Sequence, residues 1–144
     1  MHRVNDMKLL VPYALFSVYI SLLDIRTGRV PRLLLWAAIL LALLLKTLIA
    51  PGSIPTGSLT GGLFGMGMFL LAYLVSGKKL GLADVWYAGL IGIVLEPLLL
   101  YAALGVSCVL AIVFILITKK HSIPFIPFMA AGSFSMLPVW GAAN

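Results

Sequence analysis

Asp24 and Asp84 are the residues of this sequence best suited to chemistry. The chain has 144 residues, of which only four are acidic and 62% are hydrophobic. Asp24 closes the first long apolar stretch, and Asp84 opens a later one within Gly81-Leu82-Ala83-Asp84-Val85. An ionisable side chain at the edge of a bilayer segment is costly to keep, so it indicates a functional site. Two of them at matching depth suggest a catalytic pair.

The composition predicts the environment in which these acids lie. With 10% charged residues, the chain has too little polar surface to cover a soluble domain. We therefore predict a multi-pass membrane protein with about six helices of ~20 residues. No length remains for a second domain, so residues 1–144 are predicted to form one membrane domain. The single cysteine, Cys108, excludes an internal disulfide and a multi-cysteine zinc site, and we expect it to be a small buried apolar residue.

Apolar runs separated by short polar or proline-containing segments predict an all-α bundle of six transmembrane helices. The runs lie at about 7–25, 31–49, 57–76, 81–97, 98–118 and 123–140. The fourth helix is expected to end at Glu96-Pro97. The third begins with Gly57, Gly61 and Gly65 at four-residue spacing, a pattern that favours close packing of two helix backbones in lipid.

Basic residues predict the orientation of the bundle. Three loops on one side share seven of them, whereas the other side has Arg3, Lys8 and, near a helix end, Lys46. The seven are Arg26, Arg29, Arg32, Lys78, Lys79, Lys119 and Lys120. The positive-inside rule places these loops in the cytoplasm and both termini outside, in the cytoplasmic membrane. Because these basic residues are clustered in short loops between apolar runs, they also argue against nucleic-acid binding.

This orientation leaves one possible pair of carboxylates. Asp24 and Asp84 fall at the cytoplasmic ends of the first and fourth helices. Glu96 lies twelve residues beyond Asp84, which is ~18 Å along a helix at about 1.5 Å per residue. Glu96 and Asp6 therefore belong to the opposite side.

Two carboxylates brought together share one proton, because ionising both is costly. The charged member takes a proton from water while the protonated member donates one to a carbonyl oxygen, which hydrolyses a peptide bond without a metal. A zinc-protease motif is absent, and the two histidines, His2 and His121, lie outside the apolar runs on opposite sides. A proton relay in a transporter also uses paired membrane acids, and a purely structural role for each acid stays open.

Three motifs, in the same order and spacing, resemble those of the type IV prepilin peptidases, in particular the short single-domain form of these GxGD-type aspartic membrane proteases. The segment Asp24-Ile25-Arg26-Thr27-Gly28-Arg29-Val30-Pro31 resembles the one that follows their first catalytic aspartate. Gly81-Leu82-Ala83-Asp84-Val85 is similar to their Gly-x-Gly-Asp-Val motif. Ile123-Pro124-Phe125-Ile126-Pro127-Phe128 is similar to their late Pro-Phe-Gly-Pro-Phe segment.

The resemblance implies a membrane aspartic endopeptidase with Asp24 and Asp84 as catalytic residues and no cofactor or metal. Family members remove the short basic leader of pilin-like precursors at the cytoplasmic face, after a glycine and before the apolar helix. The implied partners are such a precursor and the lipid bilayer. The oligomeric state is not indicated.

The chain departs in several ways from the motifs of the type IV prepilin peptidases that it resembles. Ala83 replaces a glycine, Trp86 replaces a lysine, and Ile126 replaces a glycine in the late motif. A non-catalytic membrane scaffold related to the family is therefore an alternative. Larger relatives carry a cytoplasmic insertion with paired cysteines and methylate the new N-terminus. This chain has neither feature, so we predict peptidase activity without methyltransferase activity.

Overall fold

The chain is all-α in the part that the structure describes. The computed structural model describes residues 2–49, 56–77, 80–119 and 123–143. Their helices are α1 (His2–Thr27), α2 (Arg32–Ile49), α3 (Thr56–Val75), α4 (Leu82–Thr118) and α5 (Ile126–Ala143). The predicted all-α class is confirmed. Lys78, Lys79, Lys120 and His121, which the sequence places in loops, lie outside the described residues.

Four helical segments are long and apolar enough to cross a bilayer. They are Leu9–Thr27, Arg32–Ile49, Thr56–Val75 and Pro97–Thr118. Two shorter apolar helices, Leu82–Leu95 and Ile126–Val139, bring the described segments to six. A helix of about 20 residues rises ~30 Å, the thickness of the hydrocarbon layer. The protein is therefore a multi-pass membrane protein, as predicted.

Helix α4 comprises two arms, Leu82–Leu95 and Pro97–Thr118, joined at Glu96. On the first arm, Tyr87 lies beside Tyr13 in the middle of α1, and Asp84 lies near Asp24 at the end of α1. The first arm and α1 are therefore antiparallel. The carboxylate of Asp24 in turn lies beside the backbone N–H of Ile126, where α5 begins.

The second arm runs back toward the start of α5. Gly132 of α5 packs against Ala103, and the Phe128 ring lies 5.2 Å from that of Phe114 between centroids. In a straight helix, Asp84 and Phe114 would stand ~45 Å apart at about 1.5 Å per residue. Instead, both lie near the first turns of α5, so the chain reverses where Pro97 disrupts the regular helix. The predicted division between a fourth and a fifth helix is confirmed.

Helix α3 packs on the first arm of α4 through small residues. Gly61, Gly62 and Gly65 are buried on α3. A Cβ atom at Gly92 would collide with the Gly61 carbonyl, and one at Gly65 would collide with the Ala88 carbonyl. The two backbones are thus in direct contact, as expected where packing between helices replaces the hydrophobic effect in lipid. The glycine spacing in α3 serves packing within the chain.

The second arm of α4 presents much of its surface to the outside of the bundle. Ile112, Leu116 and Ile117 are exposed there. Cys108 is exposed as well, so the prediction that it is buried was wrong. An apolar run does not reveal burial in a membrane protein, because lipid accepts apolar side chains as readily as the protein interior does.

Candidate active site

Asp24 is held in the last turns of α1, just before a tight helix end. Its side chain is buried, with 9% of its surface exposed. The N–H of Gly28 donates to the Asp24 carbonyl at 2.8 Å, and Gly28 adopts a φ of 61°. Glycine tolerates this left-handed conformation without steric cost, and it commonly ends helices in this way. The helix therefore ends at Thr27, three residues after Asp24, and leaves that carboxylate at the end of the bundle.

Asp84 occupies the first turn of α4 and is fixed by its own helix. The backbone N–H of Gly81 donates to Asp84 Oδ2 at 3.1 Å, and the Asp84 N–H donates to the Gly81 carbonyl at the same distance. An acid at this position satisfies a free N–H at the start of a helix and is favoured by the helix dipole. The side chain is buried, with 7% exposed. One Asp84 oxygen is thus held by backbone, which fixes the orientation of the carboxylate.

The two aspartates line one cleft of about 590 Å³ at this end of the bundle. They are near enough for their charges to interact. The other lining residues come from the turn after α1, the start of α4 and the segment before α5: Ile25, Gly28, Arg29, Val30, Arg32, Gly81, Leu82, Ala83, Ile123, Pro124 and Phe125. The arrangement predicted from loop charges, with Asp24 and Asp84 at one depth, is therefore present. The cleft thus brings a carboxylate from each of two helices to one solvent-accessible space.

A model of the type IV leader peptidase family matches residues 11–116 of the chain, a stretch that contains both aspartates. The chain belongs to this family. A search of curated proteins and a search of solved structures found no significant match. Membership in the type IV leader peptidase family indicates an aspartic peptidase that acts on prepilins, and it agrees with the resemblance seen in the motifs.

The late Ile123–Phe128 motif lies beyond the stretch matched by the leader peptidase family, yet it closes the cleft. Ile123, Pro124 and Phe125 form one wall, and the backbone N–H of Ile126 lies beside the Asp24 carboxylate. The sequence predicted no site role for these residues. The only signal was the motif itself, because a backbone N–H has no signature in the amino-acid sequence.

The departures from the leader peptidase motifs fall at different places. Ala83 lines the cleft and contributes a small wall beside Asp84. Trp86 does not line it; its ring lies 4.6 Å from that of Trp36 on α2, centroid to centroid. Successive side chains on a helix are about 100° apart. Trp86, two residues after Asp84, therefore points about 200° around the helix, away from Asp84. The tryptophan that replaces the family's lysine is therefore a packing residue between α2 and α4.

Two arginines share the cleft with the aspartates. Arg29 and Arg32 line it and are exposed, whereas Arg26, in the same part of the chain, does not line it. Among the described residues, no group of three histidine, cysteine or acidic side chains is placed to hold a metal ion.

Proposed function

We propose that the protein is a prepilin-type aspartic endopeptidase in which Asp24 and Asp84 are the catalytic residues. It removes the short basic leader of pilin-like precursors at the cytoplasmic face of the cytoplasmic membrane. The observation that supports this most strongly is the shared cleft, since Asp24 comes from α1 and Asp84 from α4, sixty residues apart in the chain. Residues 1–144 act as one membrane domain.

In this mechanism the two carboxylates share one proton. The charged member removes a proton from a water molecule, whose oxygen attacks the carbonyl carbon of the scissile bond. The protonated member donates its proton to the carbonyl oxygen. When the tetrahedral intermediate collapses, one of its hydroxyl groups returns a proton to the pair, the C–N bond breaks, and the leaving nitrogen takes a proton from the other aspartate, so that the pair again holds one proton. The leader departs with a new carboxylate, the mature protein begins with a new amino group, and either aspartate can act as the base.

The orientation of the bundle determines where cleavage takes place. The cleft lies at the ends of α1 and α4 that carry the basic loops, which the positive-inside rule assigns to the cytoplasm. Both termini are then extracytoplasmic. The apolar helix of the precursor lies in the bilayer beside the bundle, and its leader enters the cleft from the cytoplasmic side.

The direct test is cleavage of a pilin-like precursor by the detergent-solubilised protein. Asp24→Asn and Asp84→Asn should each lower the rate by about 10³-fold or more, because the pair acts as a unit. Asn preserves the shape of each side chain, so both variants should elute as the wild type does in size exclusion. Asp6→Asn, the same substitution at the predicted opposite side, should leave the rate unchanged. Full cleavage by either cleft variant would refute the proposal.

We also propose that the protein does not methylate its product. Incubation with labelled S-adenosylmethionine and a cleaved precursor should transfer no label to the new N-terminus. Label on the mature protein would overturn this part of the proposal while leaving the peptidase activity intact.

A further inference from the structure

A group of hydroxyl side chains lies inside the bundle, and none of its members lines the cleft. Tyr13 and Ser17 on α1 lie beside Tyr87 on the first arm of α4. All three residues are buried, Ser17 and Tyr87 completely. The Tyr13 hydroxyl donates to Ser133 Oγ on α5 at 2.6 Å. Three helices therefore bring polar atoms together within an otherwise apolar core.

Three buried hydroxyl oxygens in this region have no hydrogen-bond partner among the described residues. They belong to Ser17, to Tyr87 and to Ser21, which follows one turn further along α1. A serine inside a helix commonly donates to a carbonyl of the preceding turn, as Ser107 does to the Ala103 carbonyl at 2.6 Å. A buried hydroxyl without a partner is costly, above all in a bilayer, where no bulk water can replace the partner. The three oxygens therefore call for a ligand that donates and accepts hydrogen bonds.

The spacing of these residues on α1 suits a row of water molecules. Ser17, Ser21 and Asp24 lie within about 60° of one another around the helix, at about 100° per residue. The Cβ atoms of residues three or four apart on a helix are about 5–6 Å apart. One water spans such a gap, because each of its two hydrogen bonds is about 2.8 Å long. Ser17 lies ~10 Å along the helix from Asp24, so the row reaches from the cleft into the bundle.

We propose that Ser17, Ser21 and Tyr87 bind a short chain of buried water molecules that continues the solvent of the cleft into the bundle. A buried water typically makes about three hydrogen bonds, and Tyr13, Ser17 and Tyr87 together offer three hydroxyls. The site itself does not depend on the proposed function. If that function holds, this water stays near Asp24 when a precursor fills the cleft, because it lies deeper in the bundle.

The test is radiolytic labelling, in which an X-ray pulse converts water into hydroxyl radicals that modify the side chain beside it. In the detergent-solubilised full chain, Tyr87 should be labelled although it is completely buried. Ser17→Ala/Ser21→Ala removes two of the groups that hold the water and should abolish most of that label. Ser107→Ala/Ser135→Ala removes two hydroxyls that already donate to backbone carbonyls and should preserve it. Mass spectrometry of the peptide that contains Tyr87 measures the label in each protein.

Thermal unfolding separates a hydrated hydroxyl from a dry one. Tyr87→Phe removes the hydroxyl and keeps the ring. If the hydroxyl binds water, the loss of that hydrogen bond should lower the unfolding temperature by a few degrees. Removing a dry hydroxyl that has no partner would raise the unfolding temperature, because its desolvation cost disappears. This variant also tests the site if Ser17→Ala/Ser21→Ala does not fold.

Three results would each overturn the water chain. They are an unlabelled Tyr87 in the wild type, a label that persists in Ser17→Ala/Ser21→Ala, and a higher unfolding temperature for Tyr87→Phe. An unlabelled Tyr87 together with a lower unfolding temperature for Tyr87→Phe would indicate a direct hydrogen bond between protein groups in place of water. None of these measurements uses a precursor, so the water chain and the proposed function can fail separately.

Discussion

The two arms of α4 are both strongly apolar, but they lie in opposite surroundings. From Asp84 to Leu95, the first arm is buried at every residue except the half-buried Trp86. The second arm is exposed from Ile112 to Ile117. The first arm contains small residues that allow close contact with α3, whereas the end of the second arm is occupied by large aliphatic and aromatic side chains. In this protein, apolarity by itself does not mark the interior.

The difference also explains where a carboxylate can be kept. Asp84 begins the arm that protein surrounds, where a backbone N–H holds one of its oxygens and the cleft supplies access to water. An acid in the lipid-exposed arm would have neither, and its burial would cost several kcal/mol (about 2.5–3.5 on insertion scales). The enclosed arm is therefore the one of the two that can keep a carboxylate.

The largest contrast is expected from adding a side chain to a glycine in each arm. Gly92→Leu would drive a side chain into the Gly61 carbonyl, since the two backbones touch there. It should cost about 3 kcal/mol or more and remove the folded, monodisperse fraction in detergent. Gly105→Leu in the second arm meets open space and should leave elution and thermal stability near those of the wild type. Equal behaviour of the two variants would contradict the packing described for α3 and α4.

Truncating a large side chain should lower the stability of the protein in the first arm of α4 but not in the exposed part of the second arm. Ile91 is fully buried, and Ile117 is 77% exposed. Ile91→Ala should destabilise the protein by about 2–5 kcal/mol, because the lost contacts are not replaced. Ile117→Ala exchanges contacts with lipid or detergent and should cost about 0.5 kcal/mol or less. Thermal unfolding of both variants in the same detergent compares their losses of stability. A larger loss of stability for Ile117→Ala than for Ile91→Ala would contradict the assignment of Ile91 to the interior and Ile117 to the surface.

The smallest contrast concerns the aromatic contacts of the two arms. Trp86 lies against Trp36 at 4.6 Å between ring centroids, and Tyr101 meets Phe64 edge-on at 6.2 Å. Trp86→Leu should lower stability by about 1 kcal/mol and Tyr101→Leu by about half of that, since Tyr101 is 45% exposed. Cleavage by the Trp86 variant should persist, because this ring does not line the cleft. Loss of cleavage without loss of stability would place Trp86 in the site.

Features that depend on local sequence were predicted well. The break at Pro97 was predicted because proline interrupts an apolar run, and the contact of the α3 glycines was predicted from their spacing. The common depth of Asp24 and Asp84 was predicted from the basic loops beside them, although their catalytic role stays a proposal.

Features that depend on tertiary packing were not predicted. The outward position of Cys108 is set by which side of the second arm faces lipid, and its apolar neighbours gave no indication of that. The position of the Ile126 N–H beside Asp24 and that of Arg29 in the cleft depend on how α1, α4 and α5 meet. No periodicity in the sequence encodes such a meeting of three helix ends.

The most direct test of the account is a double-mutant cycle on the two aspartates, measured as single-turnover cleavage of a labelled precursor. Asp24→Asn, Asp84→Asn and the combined variant should all retain the same small residual rate, because removing either member already disables a pair that acts as a unit. If the two carboxylates act independently, the combined variant will be slowed by the product of the factors measured for the two single variants. That result would contradict the account.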